Sequence, residues 1–92
     1  MPRFANVRPR RLRHVLLQMG FIETVHNDHW RYRHPGLGLR THVHVSFGNK
    51  EIRAELMGDI ITHQLRMTID EFRGAMNGEI PERFTNPEFW TN

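Results

Sequence analysis

The 92-residue chain contains no cysteine. That excludes a disulfide scaffold, thiol catalysis and any cysteine-ligated zinc or iron–sulfur site. It also lacks an apolar run approaching the roughly 18 residues that a membrane span needs, so no segment is expected to cross a bilayer. Its first residues, Met-Pro-Arg-Phe-Ala-Asn, lack the apolar stretch of a signal peptide, which makes the cytoplasm the expected compartment. Internal repeats and low-complexity linkers are missing too. What remains is ordinary globular material, 38% apolar and 25% charged, long enough for one hydrophobic core and too short for two.

The formal charge of +3 conceals a division. Residues 1–50 carry nine basic side chains (Arg3, Arg8, Arg10, Arg11, Arg13, Arg31, Arg33, Arg40 and Lys50) against Glu23 and Asp28, a balance of +7. Residues 51–92 carry four arginines against eight acids, a balance of −4. Six of the seven histidines also lie in the first half. A basic half with clustered histidine suggests a polyanionic partner.

Periodicity divides the chain into elements. Leu12, Val15, Leu16 and Met19 recur at helical spacing and predict a helix over 10–19, with Pro9 suited to its start and Gly20 to the position past its end. Phe21 to Val25 is rich in strand-forming residues, and His26-Asn27-Asp28 is turn chemistry. In the next strand Trp30 and Tyr32 face one way, while His29, Arg31 and Arg33 face the other. After the Pro35–Gly38 turn, Leu39, Thr41, Val43, Val45 and Phe47 alternate with Arg40, His42, His44 and Ser46. A helix is expected from about Arg53 to Gln64, with Gly58 a weak point inside it. Thr68 and Glu71 have the spacing of a capping box, opening a short helix that stops by Asn77-Gly78. The order α-β-β-β-α-α predicts an α+β domain with a three-stranded antiparallel sheet and helices on one face.

On that reading the uncovered face displays His29, Arg31, Arg33, Arg40, His42, His44 and Ser46 together. Arginine binds phosphate in bidentate fashion, and histidine exchanges protons near neutral pH. RNA cleavage by an internal 2′-hydroxyl needs that combination: a base, an acid and cations around the phosphate. The plain alternative is a solvated polar face, with arginines that serve solubility. Trp30 and Tyr32 resemble a base-stacking pair, but their phase places them in the core. The arginine-rich start is either a second RNA-binding arm or a solvated helix face. His42 and His44 with His29 have the makings of a three-histidine zinc site. The sequence places no carboxylate to orient those rings, so no metal or other cofactor is expected.

Three segments, in order, resemble HicA-type (YcfA-like) mRNA interferase toxins. Leu16 to Pro35, LLQMGFIETVHNDHWRYRHP, is similar to the family's helix, Leu-Gly-Phe, short strand, Gly-Ser-His and aromatic-Arg-His-Pro opening. Val45 to Glu51 is similar to its His-Gly-Asn-Lys-Glu-Leu segment, and Leu65 to Phe72 to its Ala-Gly-Leu-Thr-x-Glu-Glu-Phe close. The resemblance covers about residues 10–76. It implies a HicA-like domain over 1–78, with the family's double-stranded-RNA-binding-domain-like fold, and a C-terminal extension over 79–92. It further implies the toxin of a type II toxin–antitoxin pair: a metal-independent endoribonuclease acting on RNA, most naturally mRNA, and held by a HicB-type antitoxin. The family's single catalytic histidine maps onto His29. Arg31, Arg33, Arg40, His42, His44 and Lys50 are then the expected RNA contacts. The family's Gly-Ser is Asn27-Asp28 here, and its histidine before Gly-Asn-Lys is Phe47. A non-catalytic RNA-binding module of the same fold, or a protein-interaction domain, are the alternatives.

Overall fold

The computed structural model describes residues 6–44 and 50–90. Helix α1 runs from Pro9 to Gln18 with Pro9 at its first position, where a missing N–H leaves no carbonyl unserved. Leu12, Val15, Leu16 and Met19 are all buried, as their spacing requires, and Gly20 beyond the helix takes φ 91°. Three strands follow: β1 (Ile22–His26), β2 (His29–His34) and β3 (Leu39–His44). They form one antiparallel sheet in the order β1-β2-β3. The β1–β2 loop is only Asn27-Asp28, and Asn27 adopts φ 54°, a conformation its short polar side chain tolerates.

The alternation sorts the sheet as expected. Tyr32, Leu39, Thr41 and Val43 are buried on one face with the helices, whereas Arg31, Arg33, Arg40, His42 and His44 are exposed on the other. Trp30 packs partly buried against the same core. The expected continuation of β3 through Val45, Ser46 and Phe47, and the break at Gly48-Asn49, lie outside the described residues.

The second helical segment starts one residue late and changes character midway. Helix α2 (Ala54–Asp59) passes through Gly58 intact and then widens into a π turn over Ile60–Gln64, where Leu65 N–H donates to Ile60 O at 2.8 Å. The wider turn carries Gln64 over β3, where its Oε1 accepts from the Thr41 hydroxyl. Helix α3 (Ile69–Met76) begins on the expected capping box: Glu71 N–H donates to Thr68 Oγ1, and Thr68 N–H to Glu71 Oε1, both at 3.0 Å. The sequence pattern had shown no element beyond Gly78, yet α4 (Glu82–Thr85) and a 3₁₀ turn (Pro87–Phe89) follow. Phe84 is fully buried in the main core.

Two ion-pair networks tie these pieces together. Arg13 of α1 grips Glu23 of β1 with two bonds of 2.7 and 3.1 Å, and the Tyr32 hydroxyl donates to the same carboxylate at 2.7 Å. Arg83 of α4 grips Glu71 of α3 with bonds of 2.7 and 3.0 Å. Bonding from Arg13 holds the Glu23 carboxyl below its ordinary range, and bonding from Arg83 and the Thr68 amide does the same for Glu71. Burial, and then the bond to Glu23, push the Tyr32 phenol up. Groups with lowered folded pKa values stabilise the fold above their unfolded value near 4.5 and lose that contribution as pH falls through the folded one. The urea midpoint is therefore expected to drop between about pH 5 and about pH 3, and to drop less in a Glu23→Gln, Glu71→Gln double variant. Equal slopes for the two proteins would remove these carboxylates as the cause.

Candidate nucleic-acid interface

The two-residue loop sets the register, and the register builds the site. His26 pairs with His29, His29 with His44, Arg31 with His42, and Arg33 with Arg40. Residues two apart on a strand share a face, so one surface carries a histidine cluster at the hairpin end and arginines farther along. At about 3.3 Å per residue, His29 and Arg33 stand about 13 Å apart along β2.

At the histidine end, His29 Nε2 and His44 Nε2 are 3.2 Å apart, and their ring centroids 4.0 Å. His42 meets His29 edge-on at 5.2 Å. The Asp28 carboxylate lies 3.0 Å from His29 Nδ1 and 3.9 Å from His44 Nδ1. Its charge favours a proton on His29 Nδ1. The Nε2–Nε2 contact is a hydrogen bond when one ring carries its proton there and the other does not, so the pair is able to share a proton. The His29 side chain keeps 26% of its surface in contact with solvent, enough for a substrate to reach.

The arginine end carries cations that are not spent on internal ion pairs. Arg13, Arg73 and Arg83 each hold an acid. Among the described residues no ion pair engages Arg31, Arg33 or Arg40. These three, with Thr24 and His42, line an open hollow of about 580 Å³ whose floor includes Tyr32 and Thr41. Arginines left without a carboxylate are available to phosphate.

The structure therefore brings together six of the seven candidates, His29, Arg31, Arg33, Arg40, His42 and His44. Lys50 is exposed beyond residues 45–49 and does not line the hollow. His44 reaches His29 directly, as its cross-strand partner. His26 was not singled out from sequence, whereas Asp28 stood there as a departure from the family's pattern directly before His29. The signal for His26 was the Asn27-Asp28 turn, since a two-residue loop makes its flanking residues partners. Of the arginine-rich start, Arg13 is committed to Glu23, while Arg8, Arg10 and Arg11 border a separate hollow of about 410 Å³. Strand alternation separates His34 from the cluster: it is buried on the helix face with Tyr32, where its Nε2 bonds Phe84 O at 2.7 Å and its Nδ1 accepts from Leu37 N–H. No helix among the described residues is long and apolar enough to cross a membrane. No family model, curated protein or solved structure matches this chain.

Proposed function

We propose that the protein is a cytoplasmic RNA-cleaving toxin of the HicA type, controlled by a HicB-type antitoxin. The observation that carries this reading is the sheet face itself: a histidine pair beside three arginines that hold no acid. RNA lying along β2 and β3 places one phosphate beside Arg31, next to the histidines, and others at Arg33 and Arg40 farther along the face. His29 takes the proton of a 2′-hydroxyl, whose oxygen attacks the adjacent phosphorus. The bond to the 5′-oxygen breaks as a proton arrives from an acid, the role this reading gives to His44, whose Nε2 is 3.2 Å from that of His29. The products are a 2′,3′-cyclic phosphate and a 5′-hydroxyl, and Arg31, two residues from His29 on β2, stabilises the charge on the phosphorane. His42 borders both ends of the face, and Lys50 adds a flanking cation.

The Asp28 carboxylate supports a second reading. Placed beside the histidines, it repels phosphate from that end, which favours a face that binds RNA without cutting it. One experiment separates the two. Purified protein is incubated with a labelled single-stranded RNA in the presence of a chelator. Cleavage to cyclic-phosphate ends is expected; binding without cleavage establishes the second reading, and no binding at physiological salt removes both. Binding is expected to weaken steeply with salt, and the log–log slope to fall by about one for each of Arg33→Gln and Arg40→Gln.

A further inference from the structure

The same hairpin end has the composition of a metal site. One donor atom each from Asp28, His29 and His44 lie within 4.8 Å of one another. Two imidazole nitrogens on a tetrahedral ion, each about 2.0–2.1 Å from it, stand about 3.3 Å apart. His29 Nε2 and His44 Nε2 stand 3.2 Å apart. Asp28, the residue before His29 in the tight loop, supplies a carboxylate, its oxygens 3.0 and 3.9 Å from the two Nδ1 atoms. The scaffold is also suitable: the two histidines are directly opposed on adjacent strands, and Asp28 is in the loop adjoining one of them. Donors on paired strands are held closer to a productive geometry than donors on a long loop.

We propose that Asp28, His29 and His44 bind a single late first-row divalent cation of the zinc class. Imidazole with carboxylate suits zinc, copper or nickel, whereas magnesium and calcium favour all-oxygen sets. Three protein donors leave at least one position on the ion open to water. The site stands on the placement of its donors, and zinc uptake reads it whether or not the chain cuts RNA. Under the function proposed above, a metal on the His29 nitrogen occupies the lone pair that general-base chemistry needs, so zinc suppresses cleavage.

The test is calorimetric titration of the full-length, metal-stripped protein with zinc ion alone, in parallel with magnesium. One zinc per chain is expected, at micromolar affinity or tighter, with no magnesium uptake at the same concentrations. His44→Ala and Asp28→Asn are expected to weaken zinc at least tenfold. His63→Ala, which removes a separate exposed histidine paired with Asp59 at 2.9 Å, is expected to leave it unchanged. Cobalt substituted for zinc is expected to give a visible spectrum that His44→Ala abolishes while circular dichroism remains native. No zinc uptake overturns the proposal, as does uptake that survives His29→Ala with His44→Ala, or uptake that falls equally in His63→Ala. Zinc binding without inhibition of cleavage overturns the role of His29 as base and leaves the metal site standing.

Discussion

His29→Ala is expected to lower the rate of RNA cleavage by about 10²–10⁴-fold, the usual contribution of one positioned acid–base group. Growth arrest on expression is expected to disappear with it. The side chain lies on the solvent-facing side of the sheet, so its removal leaves the core untouched, and stability is expected to shift by no more than about 0.5 kcal/mol. RNA affinity is expected to persist, because the proposed phosphate contacts are Arg31, Arg33 and Arg40. Persistence of binding makes the loss of rate a statement about chemistry rather than folding. His44→Ala adds resolution. If the 3.2 Å pair divides the work into base and acid, removing either member costs a comparable factor, and the double variant loses little more than each single one. If His29 works alone, His44→Ala is much milder. Wild-type cleavage rates in His29→Ala would sink the mechanism, and the face would then be a binding surface only.

The elements that position this face were legible from period alone. Alternation over Leu39–His44 and His29–Arg33 separates buried from exposed side chains because successive strand residues point to opposite faces. The capping box at Thr68 was legible because its two bonds need only residues three apart. Three features were not. The π turn at Ile60–Gln64 leaves no periodic mark, and Gly58, the residue that drew suspicion, sits inside an unbroken helix. The ring-to-ring contact of His29 with His44 depends on strand pairing between residues fifteen apart, and only the register states it. The four-residue α4 is too short to show a helical repeat, so Phe84 read as an apolar residue in a tail.

Phe84 decides whether that tail belongs to the fold. Phe84→Ala is expected to destabilise the protein by about 3–5 kcal/mol, the range for deleting a buried aromatic ring. Total stability of a domain this size is of order 5–15 kcal/mol, so the variant unfolds at markedly lower urea concentration or fails to accumulate. The ring is 1% exposed and packs 6.2 Å from Phe21 and 5.7 Å from His34, joining the tail to the open end of the β1–β2 hairpin. Its carbonyl accepts from buried His34, and Trp90 lies edge-on to the same imidazole at 5.3 Å while its indole N–H donates to Arg83 O. Trp90 in turn fits only because residue 36 is glycine: a Cβ there would stand 2.2 Å from its Cδ2. Gly36→Ala is therefore a second, milder probe, displacing the indole while leaving Phe84 in place. Truncation after Gly78 removes all of these contacts and strands the His34 nitrogen without its acceptor, so loss of partner binding in such a truncation reports unfolding before it reports an interface. A Phe84→Ala protein with wild-type urea midpoint would show the opposite, that residues 79–90 rest on the domain without contributing to its stability. Phe84→Leu sharpens the comparison, since it keeps most of the buried volume and is expected to recover most of the loss.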